Sequence, residues 1–203
     1  MADAKKHAAK KPDAKKAWLA ACRQQRLAWD AFCRERWEHP VLTDPTSGQA
    51  LLTQPAAIRA VIDFADAHGA VKIFDAGDVQ ANGFQALHDD HPGQTYNDTG
   101  SSYMGFAVSA LLASALVETP EYPIAFTGDG SFMMNPQILI DGVEHRLRGM
   151  IVLFDNRRMA AISALQKAQY GEGAEFATSD RVAVNYLQLA SAVSGIHAVS
   201  GGR

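Results

Sequence analysis

The chain opens on a lysine- and alanine-rich stretch, residues 1–16, with no apolar periodicity, which reads as a mobile basic tail. A pattern starts at Ala17. Trp18, Cys22, Trp29, Phe32, Cys33 and Trp37 recur along one stripe, with Arg23, Arg26, Arg34 and Arg36 among the polar positions. This predicts a helix over residues 17–37 that docks on something, because an exposed tryptophan-rich stripe is a liability in water. Residues 39–54, with two prolines and the run PTSG, read as a linker.

Beyond Leu51 the period keeps switching. Ile58, Val61, Ile62 and Ala65 mark a helix over 55–68, and residues 71–75 (VKIFD) a short apolar strand ending in the turn AGD. Residues 76–102 read as loop-rich, with HDDHPG at the middle and YNDTGSS at the end. Helices follow over 103–116, 136–147 and 185–193, and strands over 122–127 (YPIAFT), 150–154 (MIVLF) and, as a last element, 196–199. Near-continuous apolar strands alternating with helices predict an α/β fold. It would be a doubly wound parallel sheet with helices on both faces, preceded by a helical extension. The expected domain plan is a tail at 1–16, a Trp-bearing helix and linker at 17–50, and the α/β domain at 51–203.

Composition narrows the class. With 203 residues, 47% of them hydrophobic and 20% charged, the chain can bury a core. No apolar run reaches ~18 residues, so no membrane-spanning helix is expected. The N-terminus lacks the apolar centre of a secretory signal, and Asp3 and Asp13 speak against mitochondrial targeting. Net charge is −3, split as +6 over residues 1–36 and −9 over the rest. That excludes a uniformly basic nucleic-acid binder. The tail could touch nucleic acid or an acidic partner, but a solvated tail is the plainer reading. Cys22 and Cys33 on one helix would stand about 16 Å apart at 1.5 Å per residue, too far for a disulfide. A reducing, cytoplasmic setting follows.

The chemistry concentrates in Thr127-Gly128-Asp129-Gly130-Ser131, followed by a helix, the strand MIVLF and Asp155-Asn156. In a parallel βαβ unit both strands end on one edge of the sheet, where ligands collect. Asp129 and Asn156, 27 positions apart, stand just past two such ends. A carboxylate and an amide oxygen are hard ligands of the kind Mg²⁺ takes, and Mg²⁺ usually shares its sphere with phosphate oxygens. Gly128 and Gly130 allow close approach of an anion, and Ser131 opens a helix whose N-terminus favours negative charge. Gly100-Ser101-Ser102 forms a second small-residue turn.

These residues resemble a known family. GDGSFMMN followed by IVLFDN is similar to the cofactor signature of thiamine-diphosphate enzymes. LLTQPAAI, GSSYMG, GDGSFMM and FDN…ISALQ, in that order, resemble the trihydroxycyclohexanedione hydrolase branch, with acetolactate synthases close by. The resemblance implies thiamine diphosphate and Mg²⁺ as cofactors. Asp129, Asn156 and the backbone carbonyl of Arg158 would bind the metal, and Gly128, Gly130 and Ser131 the diphosphate. Met104 would be the apolar wedge that bends the cofactor, its N–H and the Ser102 carbonyl holding the aminopyrimidine. Asp78 and Gln80, in the run DAGDVQ, and Met159 would complete the cofactor site. Two features depart from the family: Arg157-Arg158-Met159-Ala160 stands where hydrolase relatives tend to carry glycines, and Val79 where synthases often carry His. The arginines could bind an acidic substrate or face solvent.

The resemblance also implies a glutamate that activates the cofactor from a pyrimidine-binding domain of about 150–180 residues, which this chain does not contain. The expectation is therefore a cofactor-binding subunit of a split enzyme, in a hetero-oligomer such as a heterotetramer, acting on a 2-oxo acid or cyclic 1,2-diketone. The partner would carry the glutamate and cover the sheet where no helix follows residue 199. Alternatives are the beta subunit of a sulfopyruvate- or phosphonopyruvate-type decarboxylase, and a non-catalytic remnant or binding module. His88-Asp89-Asp90-His91 could ligate a metal, although a polar loop is the commoner explanation.

Overall fold

The computed structural model describes residues 12–43, 48–179 and 181–201. The chain divides into two units, Met1–His39 and Pro40–Arg203. The first holds helix α1, Pro12–Glu38. It starts ahead of the predicted Ala17, so residues 12–16 are helix rather than tail; residues 1–11 lie outside the described residues. Alanine and lysine are strong helix formers that carry no apolar stripe, and proline suits a first helical position, where its missing N–H costs nothing. Arg26 pairs with Asp30 one turn on at 3.0 Å, and the Trp37 indole donates to the Cys33 carbonyl at 2.8 Å. Trp18, Trp29 and Phe32 are exposed and Cys33 is buried.

The second unit corrects the linker reading. Strands β1 (Val41–Thr43) and β2 (Ala50–Leu52) pair antiparallel, Val41 opposite Leu52. Every residue of both is exposed, so no alternation betrays them in the sequence. Helix α2, Gln54–His68, has Pro55 in its first turn and stops at Gly69, whose left-handed φ of 63° lets its N–H cap the last turn. Then come β3 (Val71–Phe74), α3 (Asp78–Ala86), β4 (Thr95–Asn97), α4 (Phe106–Leu116), β5 (Pro123–Gly128), a single turn α5 (Asp129–Phe132), α6 (Ile138–Glu144), β6 (Met150–Phe154), α7 (Ala160–Tyr170) and α8 (Tyr186–Ser191).

The stretch read as loops between 76 and 102 thus contains α3 and β4. Two of the three buried α3 residues are Gly83 and Ala86, too small to signal an apolar face. Gly83 is required: a Cβ there would sit 2.3 Å from the Phe74 ring. The predicted strand over 196–199 does not form; Ile196 instead packs against the core alongside Tyr186 and Leu189 of α8.

The sheet is wholly parallel, in the order β4-β3-β5-β6. The chain steps from β3 out to β4, then crosses back to place β5 on the other side of β3, so the winding reverses between β3 and β5. Side chains alternate across each strand. Val71, Ile73 and Ala125 face Ala107, Val108 and Leu111 of α4 and Ile138 and Leu139 of α6. On the opposite face, with α2 and α3, Phe74 stacks on Phe126 at 4.4 Å and meets Phe84 edge-on at 6.3 Å. Burying Phe74 and Phe126, both fully shielded, contributes about 1.5–3 kcal/mol each.

Two buried charges tie this frame together. Asp75, fully buried just past β3, accepts from its neighbour Ala76 N at 3.0 Å, Gly105 N at 2.9 Å and the Thr127 hydroxyl at 2.9 Å. One carboxylate therefore joins the ends of β3 and β5 to the turn before α4. Lys72, 1% exposed, pairs with Asp66 at the end of α2 and, at 3.0 Å, with Asp89. Burial alone would lower its pKa, but the two carboxylates outweigh it and hold the ammonium above the ordinary lysine value.

Both charges give measurable expectations in chemical denaturation. Asp75→Ala leaves the Gly105 N–H and the Thr127 hydroxyl without their acceptor and costs about 2–4 kcal/mol. Asp75→Asn, which keeps one acceptor oxygen, costs about 1 kcal/mol. Lys72→Met leaves two carboxylates that water reaches and costs about 1–2 kcal/mol, whereas the double change Asp66→Asn with Asp89→Asn strands a buried ammonium and costs about 3–5 kcal/mol. Because the folded pKa of Lys72 is raised, its contribution is complete at neutral pH. It disappears only as pH climbs through that raised value, which a stability profile against pH reads directly.

Candidate functional site

Since the strands run parallel, Asp75–Gly77, Gly128 and Phe154 emerge on one edge of the sheet, and the winding reversal between β3 and β5 opens a crevice there. A cavity of about 340 Å³ fills it. Of the residues singled out from the sequence, Asp78, Ser102, Met104, Gly128, Asp129, Gly130, Ser131, Asn156, Arg158 and Met159 line this cavity; Gln80 does not. Segments separated by up to 81 positions thus share one wall system, which neither the spacing nor the apolar pattern could supply.

Each side chain is placed by a local cause. Asp129 is 4% exposed; one carboxylate oxygen accepts from Gly130 N at 2.7 Å and the other from Arg157 N at 2.5 Å. The second contact bridges the ends of β5 and β6. The Asn156 side-chain oxygen accepts from Arg158 N at 3.0 Å, curling the chain after β6 into a tight turn in which Arg157 takes a left-handed φ of 51°. Asp155 lies against Asp129; burial and then that neighbouring carboxylate raise its pKa above the usual range. The site is therefore rich in oxygen ligands.

Opposite, Ser102 is held left-handed at φ 50°, and Gly105 at φ 92°, where a Cβ would lie 2.9 Å from the Met134 Cβ. This conformation lets Met104 reach across: its Cε lies 3.2 Å from where a Cβ on Gly130 would be. Gly130 thus leaves an open floor beneath a methionine tip. The helix expected to open at Ser131 is interrupted. Only the turn Asp129–Phe132 forms, and α6 begins at Ile138, because Pro136 disfavours a helical Asn135. Backbone N–H groups of one turn, rather than the field of a long helix, are what this corner offers an anion.

The two arginines divide. The Arg158 guanidinium turns to Glu175, 2.6 Å away. Burial would raise the Glu175 pKa, but the hydroxyls of Ser163, Ser179 and Thr178 together with Arg158 hold the carboxyl below the usual range. The sequence reading missed Gln54, Gly77, Phe154 and Ala160–Ile162 in the cavity wall. Gln54 accepts from the Asn82 amide at 2.6 Å, a contact across 28 positions with no sequence signal. Val79 is buried yet reaches the wall. Among the described residues no three His, Cys, Asp or Glu side chains converge as metal ligands. In the run His88–His91, Asp89 pairs with Lys72.

Known proteins are similar to this chain. The family model described as thiamine pyrophosphate enzyme, C-terminal TPP binding domain, matches residues 75–202. Acetolactate synthase isozyme 1 large subunit of Escherichia coli (strain K12) is 30% identical over 152 residues, 75% of this chain and 26% of that protein. The 3D-(3,5/4)-trihydroxycyclohexane-1,2-dione hydrolase of Lacticaseibacillus casei is 34% identical over 135 residues, 65% of this chain and 21% of that protein. In fold, benzoylformate decarboxylase from Polynucleobacter necessarius superposes with a TM-score of 0.58 at 18% identity, over 70% of this chain and 27% of that one. The chain spans about a quarter of the length of these relatives. No helix among the described residues is long and apolar enough to cross a membrane. The match over residues 75–202 coincides with the strand edge that carries the cavity, and the chain belongs to the thiamine pyrophosphate enzymes as their C-terminal cofactor-binding domain.

Proposed function

We propose that this chain holds the diphosphate end of thiamine diphosphate through Mg²⁺, as one subunit of an enzyme that cleaves or forms C–C bonds of a 2-oxo acid or cyclic 1,2-diketone. The observation that carries this is the meeting of Asp129, Asn156, the Gly130 floor and Met104 in one cavity at the winding reversal.

The donor set fits the metal. Asp129 and Asn156 present hard oxygens, and the Arg158 carbonyl would add a third. Asp78 also lines the cavity and Asp155 adjoins Asp129, while Arg158, in the wall, is paired with Glu175. A diphosphate placed beside these carboxylates would be repelled by them. A divalent cation reverses that balance, and the N–H groups of the Gly130–Ser131 turn supply neutral donors. Met104, Phe154, Met159 and Ile162 give the remaining wall an apolar surface that excludes water from a reacting centre. When bound, thiamine diphosphate supplies a thiazolium carbanion that attacks a carbonyl and then stores electrons while the neighbouring C–C bond breaks or forms.

No glutamate lines the cavity among the described residues. The carboxylate that activates the pyrimidine would come from outside them, and in this reading a partner chain in a hetero-oligomer carries it.

In the complex with that partner, Asp129→Ala is expected to abolish Mg²⁺-dependent thiamine diphosphate binding in calorimetry, with the thermal melt confirming a folded chain. Unchanged affinity would defeat the metal assignment. The purified chain by itself is expected to give no turnover, and full activity without a partner would defeat the two-polypeptide reading.

A further inference from the structure

The turn after β6 is held from outside by a segment to which the metal site assigns no role. Beyond α7, residues 171–179 fold back: Ala174 N donates to Gly171 O at 2.9 Å, and Phe176 N to the Gln166 side-chain oxygen at 2.8 Å. Ala177 adopts a left-handed φ of 54°. Arg158 then forms an antiparallel bridge with Ser179, in which Met159 N donates to Thr178 O at 2.8 Å. Glu175 sits at the centre. Its Oε1 accepts from the hydroxyls of Ser163 at 3.0 Å, Ser179 at 3.2 Å and Thr178 at 3.3 Å, while the Arg158 guanidinium lies 2.6 Å from Oε1 and 2.8 Å from Oε2.

We propose that residues 171–179 form a clamp, with Glu175 as its positioning residue, that presets the turn Asn156–Met159 and so aims the Arg158 backbone carbonyl at the cavity. This deepens the metal reading and rests on it for the carbonyl's purpose. The physical argument is one of preorganisation. A half-exposed ion pair holds little on its own, since water screens it and two long side chains must be ordered. Here the carboxylate is immobilised first. Ser163 and Thr178 are buried with their hydroxyls 2.7 Å apart, both within reach of it, and their two hydrogens are shared between the carboxylate and each other. Arg158 therefore docks on a fixed acceptor, and the Met159–Thr178 bond pins the next residue. A left-handed Arg157 has no intrinsic reason to persist and survives only because both sides of the turn are held. Outer residues that orient ligands in this way typically alter metal affinity by about 10–100-fold.

Arg158→Met tests this because it removes the guanidinium and leaves the backbone carbonyl. In the full chain without cofactor, amide hydrogen exchange at Arg158 and Met159 is expected to accelerate about tenfold, with exchange in β5 and the thermal midpoint essentially unmoved. Mg²⁺ affinity in the presence of thiamine diphosphate, read by calorimetry, is expected to fall about tenfold. Glu175→Ala should do the same, and Arg158→Lys should restore most of both. Unchanged exchange in Arg158→Met overturns the clamp, as does faster exchange with undiminished Mg²⁺ affinity. If the parent chain with its partner binds neither Mg²⁺ nor thiamine diphosphate, the proposed function fails, while the exchange data still decide whether the turn is clamped.

Discussion

A carboxylate with no access to water joins three pieces of chain that have no covalent reason to meet. Asp75 receives its own loop through Ala76, the end of β5 through Thr127 and the turn before α4 through Gly105. Burying an ionised group is costly unless its lone pairs are used, so the three donors are obligatory and the geometry they impose is narrow. Everything above the sheet edge inherits that geometry. Gly105 is positioned to let Met104 project, Met104 lies over Gly130, and Gly130 leads from Asp129 into the cavity floor. The site depends on the frame at a single buried atom pair more than on the apolar core beneath it, which sets the separation of layers but not the register of loops.

Charge then explains why the same edge is suited to a cation. Asp129 and Asp155 lie side by side, Asp78 lines the cavity, and the nearby basic group is engaged with Glu175. A divalent ion between these carboxylates and a diphosphate is what the proposed function adds to this edge. Two distant ion pairs show the opposite use of charge. Lys72 fastens the 88–91 loop to the sheet, and Arg158 fastens the post-β6 turn to the 171–179 segment; both are structural ties made from residues that look, in the sequence alone, like candidate ligands or substrate contacts.

Much of this was legible before any coordinates. The near-continuous apolar runs YPIAFT and MIVLF announce strands, of which β5 is buried and β6, at the sheet edge, half-buried; the distance from Asp129 to Asn156 is one crossover long, so the pairing of those two residues follows from the parallel topology. The α3–β4 stretch was not legible, because Gly83 and Ala86 bury a helix face without apolar bulk and β4 is three residues long. The hairpin of β1 and β2 escaped for a related reason: exposed on every side, it carries no alternation. Ile196 misled in the other direction, its apolarity spent on packing beside α8 rather than on a strand.

By itself the sequence determined the layer architecture and the chemical inventory of the site, since both depend on residue type at short range: periodicity for the elements, carboxylate, amide and glycine for the ligands. Tertiary structure alone decided which strand lies beside which, that the reversal falls between β3 and β5, that Gln54 joins the wall and Gln80 does not, and that Arg158 faces Glu175. Those outcomes rest on contacts between residues tens of positions apart. Their energies are set by burial and by the partners available in three dimensions, and no local pattern along a chain encodes them.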